Sequence, residues 1–199
     1  AYSPAPVVTP QIEARIMREV IEPTVNGLAG EGMPYTGFLY AGLMIDTDGT
    51  PKVLEYNCRF GDPETQPIML RLQSDLVALC NAALDGELDT VTAKWDPRAS
   101  LGVVLAAGGY PGDYNKGDVI HGLPEVETEG EKVFHAGTAL NAHNDVVTNG
   151  GRVLCACALG DTVAAAQQRA YTLVDRISWN NMYYRRDIGH RAIRREQSS

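Results

Sequence analysis

Fourteen residues, VLEYNCRFGDPETQ (53–66), carry three carboxylates, two amides and an arginine on a run that begins as a hydrophobic strand. Side chains alternate along a strand, so Glu55, Asn57 and, if the extension persists, Arg59 share one face at a spacing of about 6.5–7 Å. Two oxygen donors so placed suit a hard divalent cation such as Mg²⁺, which keeps waters and substrate phosphates as its remaining ligands. Arg59, a planar cation that stays charged, suits a phosphate or a carboxylate. Together they lay out a contact edge for an anionic, phosphate-bearing ligand. The same string also fits an edge strand whose charged face meets only water, and spacing alone leaves both readings open. The turn that follows favours a site. Gly61 gives a permissive backbone, Pro63 fixes φ, and Asp62 and Glu64 are aimed near the same place.

The elements that must position these residues follow from periodicity. Ile12, Ile16, Val20 and Leu28 predict a helix over 9–28 with Thr9 as N-cap and Pro10 in its first turn; Pro23, which lacks an amide donor, is expected to end or kink it. YTGFLYAGLMID (35–46) and PKVLEYN (51–57) read as two strands joined by TDGT, where Asp-Gly is a hairpin signal. A calcium loop starting at Asp46 would need Gly and Glu where Pro51 and Asn57 stand, so the turn reading wins. Past the acidic turn, Met69, Leu72, Leu76, Leu79 and Ala83 form the apolar stripe of one helix over 67–84. The polar stretch 85–100 reads as a domain boundary.

The second half changes character. Short β-rich runs (SLGVVLAAG, DVIHGL, KVFHAG, DVVTN, GRVLCACALG) are separated by turn residues, and one helix is expected at about 162–177. Its predicted N-cap is Asp161, with Val163, Ala166, Ala170, Leu173 and Ile177 facing inward. The glycine pairs in AAGGYPGDY and TNGGRV lack the helix and the Lys-Ser/Thr of a phosphate loop and read as turns. This half reads as a small α+β domain.

Composition narrows the class. In 199 residues, 44% hydrophobic and 21% charged, there is material for one large or two small domains with a real core. A net charge of −8 argues against broad nucleic-acid binding, although five arginines face two acids between Arg185 and Glu196. That basic run reads as a solvated tail. No apolar run approaches the ~20 residues of a membrane helix, and the N-terminus lacks a signal-peptide pattern. Four cysteines without a C-x-x-C pair suit a reduced, cytoplasmic chain, with Cys155 and Cys157 as small apolar residues on one strand face.

AYSPAP, YTGFLYAGLM, EYNCRFGDPETQ, SLGVVLAAGGYPGDY, GDVIHGLP, VFHAGT, TNGGRVL and RDIGHRAI together resemble the phosphoribosylamine–glycine ligase (glycinamide ribonucleotide synthetase) family, in order, over nearly the whole chain. The resemblance suggests a bacterial enzyme and implies an ATP-grasp ligase of purine synthesis that joins glycine to 5-phosphoribosylamine while ATP goes to ADP and phosphate. It implies an α+β chain: residues 1–94 as the C-terminal portion of an ATP-grasp domain (an antiparallel sheet with helices), and 95–199 as a small β-rich C-terminal domain. By the same resemblance Glu55 and Asn57 are Mg²⁺ (or Mn²⁺) ligands. Arg59 becomes the candidate catalytic contact to the transferred phosphoryl group or the glycine carboxylate. Asp62 and Glu64 become substrate-binding candidates, and Leu54 an apolar wall near the nucleotide.

The family's N-terminal domain and its phosphate-binding lysine have no counterpart before AYSPAP. The chain is therefore expected to be the C-terminal half of an enzyme, with the N-terminal half as a necessary partner, inactive alone and without nucleic-acid or membrane partners. Another ATP-grasp ligase with a Glu-x-Asn strand, or a non-catalytic binding module, are the competing readings. The RFGDPE turn favours the glycine ligase.

Overall fold

The apolar runs of the second half become the centre of a four-stranded antiparallel sheet. In the computed structural model, which describes residues 1–126 and 128–198, β4 (Ala99–Ala106) pairs with β8 (Arg152–Gly160). The two-residue β1 (Tyr2–Ser3) flanks β4, and β5 (Glu131–His135) flanks β8, giving the order β1-β4-β8-β5. Both central strands are buried along nearly their whole length, which is why they read as continuous rather than alternating apolar runs. Leu101, Val103 and Leu105 join Val163, Ala166, Ala170 and Leu173 of α5 (Val163–Val174) in one core. On the other face α3 (Thr65–Arg71) packs on β4 and β8. A side chain on Gly102 would meet the Cys157 and Cys155 sulfurs at 2.8 and 3.0 Å and Pro67 at 3.4 Å, so this glycine admits both thiols and the helix.

Several expectations for this half need correction. The N-cap of α5 is Thr162, whose Oγ1 accepts from the Ala165 N–H at 3.1 Å, rather than Asp161. DVIHGL makes only isolated bridges, Val119 with Val147 and His121 with Ser178. A short hairpin of β6 (Thr138–Leu140) and β7 (Val146–Thr148) completes the strands, β6 having no predicted counterpart. The basic tail is also more than a solvated end. It forms α6 (His190–Glu196), with Ala192 buried, and the Glu196 carboxylate accepts from the Val163 N–H at 3.0 Å, a negative charge at the start of α5.

Packing divides the chain into two compact units interleaved in sequence. One holds Ala1–Ser3, Pro63–Arg71 and Asp96–Ser199, the other Pro4–Asp62 and Leu72–Trp95. Within the second, Thr9 Oγ1 accepts from Ile12 N–H at 3.3 Å and Pro10 opens α1 (Pro10–Ile16) as expected. Pro23 does not end the helical path. A π-helical segment, Met17–Ile21, lies directly before it, and α2 (Glu22–Gly30) continues from that segment in helical geometry, so the irregularity that Pro23 brings is taken up within one helical path.

The hairpin forms from β2 (Tyr40–Ile45) and β3 (Pro51–Asn57); β2 starts later than expected, because Tyr35 folds back to donate to the Phe38 carbonyl at 2.8 Å. Its connection is a tight turn in which Gly49 N–H donates to Asp46 O at 3.0 Å. Asp46 and Asp48 are occupied by Lys52 and by the Thr50 N–H.

The single helix expected over 67–84 is two. α3 ends at Arg71, Leu72 forms an isolated bridge with Trp95, and the chain restarts as α4 (Leu76–Asp85) at its N-cap Asp75. Lys94 N–H donates to Ser74 Oγ at 2.7 Å, Gln73 N–H to Lys94 O at 2.9 Å, and Asp75 Oδ1 accepts from Val77 and Ala78. These local bonds outcompete continuation of the helix, so Met69 and Leu76 lie on no common stripe. Among the described residues no helix is long and apolar enough to cross a membrane.

Candidate functional site

The end of β3 is shaped by a β-bulge. Gly42 pairs with Glu55 but the next residue, Leu43, pairs with Val53, so Leu54 is the extra residue of the ladder. Bulges bend a strand and re-aim the side chains beyond them. Beyond this one, Glu55 and Asn57 project together, the carboxylate exposed and the amide half-buried. Asn57 Nδ2 donates to Glu55 Oε1 at 3.4 Å, a long contact that keeps the two heads adjacent. A half-turn of the amide would present its oxygen instead, which at this open edge asks little. With the amide so turned, the Glu55 and Asn57 oxygens would fit a hard cation that completes its shell with water and phosphate. Among the described residues no group of three or more His, Cys, Asp or Glu side chains stands together, so such an ion would rely on outside ligands.

Arg59 departs from the expected strand face. The strand ends at Asn57, and Arg59 sits in the following bend, exposed, with Nη1 donating to the Phe60 carbonyl at 2.8 Å. The Phe60 ring meets Phe38 at a centroid distance of 4.0 Å, which anchors the bend behind the guanidinium. Two of the three predicted residues are thus brought side by side on the strand, and the third follows on an anchored turn. Leu54 is 65% exposed at the bulge and forms no wall by itself. Asp62 belongs with the hairpin unit and Glu64 with the sheet unit, at the turn that leads into α3.

A helix supports the hairpin from outside. Arg15 of α1 donates to the Asp48 carbonyl at 3.4 Å and to Thr50 Oγ1 at 3.0 Å, while its Nε holds Glu19 at 2.9 Å. The Glu19 carboxyl is kept below its ordinary pKa by hydrogen bonds from Arg15 and Arg18. At the other end of β3, Thr24 and Tyr56 share a hydroxyl contact at 2.8 Å. None of these contacts was visible as periodicity. Gly42 was also missed, because its signal is the absence of a side chain opposite Glu55.

The paired thiols of Cys155 and Cys157 lie apart from this site, in the sheet. All four cysteines are free; Cys155 and Cys157 lie with sulfurs 3.6 Å apart inside the sheet, and burial pushes the Cys157 thiol well up. That matches their expected role as small apolar residues.

Residues 1–65 match the family model "Phosphoribosylglycinamide synthetase, ATP-grasp (A) domain" and residues 100–191 match "Phosphoribosylglycinamide synthetase, C domain". The chain is 74% identical over 197 residues to the phosphoribosylamine–glycine ligase of Vibrio parahaemolyticus, covering 99% of this chain and 46% of the relative. Against the ligase of Escherichia coli K12 the identity is 67% over 198 residues, covering 100% and 46%. The chain therefore spans about half the length of the curated relatives it matches. A crystal structure of phosphoribosylamine–glycine ligase from Thermotoga maritima superposes with a TM-score of 0.79 at 37% identity, over 94% of this chain and 45% of that one. The biotin carboxylase domain of the Hydrogenobacter thermophilus 2-oxoglutarate carboxylase shares the fold at 14% identity, with a TM-score of 0.59 over 92% of this chain and 39% of the other.

Proposed function

This chain belongs to the phosphoribosylglycinamide synthetase family, and from that premise we propose that, in a protein of its relatives' length, it contributes to an ATP-dependent ligase joining glycine to 5-phosphoribosylamine. The carrying observation is the Glu55 carboxylate held beside the Asn57 amide at the bulged end of β3. They would hold the divalent cation, Mg²⁺ or Mn²⁺, that neutralises the phosphates of ATP. Residues 1–94 are read as the last part of the ATP-grasp domain and 95–199 as the C-terminal domain. The four free cysteines suit a reducing, cytoplasmic setting.

A carboxylate is a poor electrophile, so the glycine must be activated before an amine can attack. In the proposed reaction a glycine carboxylate oxygen attacks the γ-phosphorus and the bond to ADP breaks, giving glycyl phosphate. The phosphoribosylamine nitrogen then attacks the carbonyl carbon, and phosphate leaves with the former carboxylate oxygen. The task of the chain is orientation and charge balance. Glu55 and Asn57 fix where the phosphates lie. Arg59, held by Phe60, offers its remaining donors to the transferred phosphoryl group or the glycine carboxylate. Asp62 and Glu64 are read as contacts to the amine substrate, and Leu54 as an apolar contact near the nucleotide. The 199-residue chain alone is expected to be inactive.

Isotope transfer tests this sequence of bonds. With carboxyl-¹⁸O glycine and a chain of the relatives' length, the released phosphate should carry one ¹⁸O per turnover. Label leaving in ADP, or in water while the phosphate stays unlabelled, would rule out the acyl phosphate route.

A further inference from the structure

The carboxylate at the end of β3 is directed by a residue with no side chain. Gly42 lies directly across the ladder from Glu55, and a Cβ built on Gly42 would come within 3.0 Å of the Glu55 Cγ. The next contacts, the Glu55 carbonyl at 3.6 Å and the Tyr40 ring at 3.7 Å, are ordinary. The conflict is thus specific to the Glu55 side chain and spares the backbone. Gly42 has an ordinary φ, outside the left-handed region where only glycine is at ease, so the turn chemistry that explains many glycines does not explain this one. Glycine in a strand interior weakens it and marks a close approach or a bulge. Here it marks both, since the register shift follows immediately, between Gly42 and Leu43.

We infer that Gly42 is a positioning residue for the cation pair. The open space above its Cα lets the Glu55 methylene lie flat across the ladder, and this keeps the carboxylate beside the Asn57 amide. The bulge at Leu54 sets the direction of the strand end, and the glycine sets the rotamer of its ligand. An added methyl pushes the Glu55 Cγ by a few tenths of an ångström and draws the carboxylate away from Asn57. Residues that orient metal ligands in this way commonly change affinity by about 10–100-fold when altered. A methyl at this place belongs at the lower end, roughly tenfold, because Glu55 is exposed and retains other rotamers.

This inference rests on the reading of Glu55 and Asn57 as cation ligands, and the test separates the two. Mn²⁺ is titrated into the 199-residue chain while paramagnetic broadening of the Asn57 side-chain amide signal is followed by NMR. The wild-type chain should broaden selectively at Asn57, and Glu55→Gln should abolish that selectivity. Gly42→Ala should need about tenfold more Mn²⁺ for the same broadening, with the β2–β3 backbone shifts unchanged. Selective broadening that survives Glu55→Gln would overturn the ligand reading and the role of Gly42 with it. Wild-type behaviour of Gly42→Ala, with Glu55→Gln silent, would overturn the role of Gly42 alone. Should Gly42→Ala disturb the hairpin, the unaltered chain still decides. A nuclear Overhauser contact between the Gly42 Hα and Glu55 Hγ protons is expected, and its absence would refute the placement.

Discussion

Residues Asp96–Ser199 and the stretch Pro4–Asp62 bury apolar surface in opposite proportions. The first builds a layered core in which Leu101, Val103, Leu105 and Ala156 are wholly inaccessible, while Val20 is the sole core hydrophobic residue of the unit holding Pro4–Asp62 and Leu72–Trp95, among the described residues. That second unit instead exposes Met33, Met44, Leu54, Val77 and Leu84. Yet it holds Glu55, Asn57, Arg59 and Asp62 of the proposed site. Within this chain the buried core lies around β4 and β8, and the candidate cation edge sits on a thinly packed hairpin held by polar contacts such as Arg15 to Thr50.

The comparison can be broken most sharply at matched leucines. Leu173 is 2% exposed in α5 and Leu84 is 76% exposed in α4. Truncating the first to alanine should cost about 2–5 kcal/mol, through lost transfer energy plus a cavity. Truncating the second should stay within about 0.5 kcal/mol. Urea unfolding followed by far-ultraviolet circular dichroism, which reports the helices of both units, measures both. Equal losses would mean that the two units are not energetically distinct in the way their burial indicates.

A smaller effect sharpens the same contrast through pH. Asp96, buried in the sheet unit, accepts from Arg98 at 2.7 and 3.0 Å, and these bonds hold its carboxyl below the usual range. A depressed folded pKa stabilises fully above the unfolded value of about 3.9 and is lost as pH falls through the lower folded value. Asp96→Asn should therefore lower stability at neutral pH and flatten the decline below about pH 4. Parallel acid profiles for variant and wild type would remove Asp96 from the account. The exposed pairs of the hairpin unit, such as Lys52–Asp46, should shift the profile less, because solvent screens them.

Much of this was legible in the sequence where one physical signal dominated. The inward stripe Val163, Ala166, Ala170, Leu173 was readable because burial and helical period agree there. The Glu55–Asn57 pair was readable because alternation survives past the bulge. What was not legible came from contacts between residues distant in sequence. Ser74 and Asp75 look like ordinary helix-surface residues until Lys94 arrives from 20 residues away to make them a break. The bulge at Leu54 and the gap above Gly42 are properties of two strands meeting, and neither strand encodes them alone. Arg59 left the predicted face because extension stops at Asn57, which no spacing rule announces.

The most direct test of the central claim is ADP release from a protein of the relatives' length carrying these residues, supplied with Mg²⁺, ATP and phosphoribosylamine, with and without glycine. The Glu55→Gln variant and the 199-residue chain run in parallel. The account predicts glycine-dependent ADP from the long wild-type protein, a rate lower by at least about 100-fold in the variant, as for loss of one preorganised charge-stabilising group, and none from the 199-residue chain. Undiminished turnover in Glu55→Gln, or ADP release that ignores glycine, would contradict it.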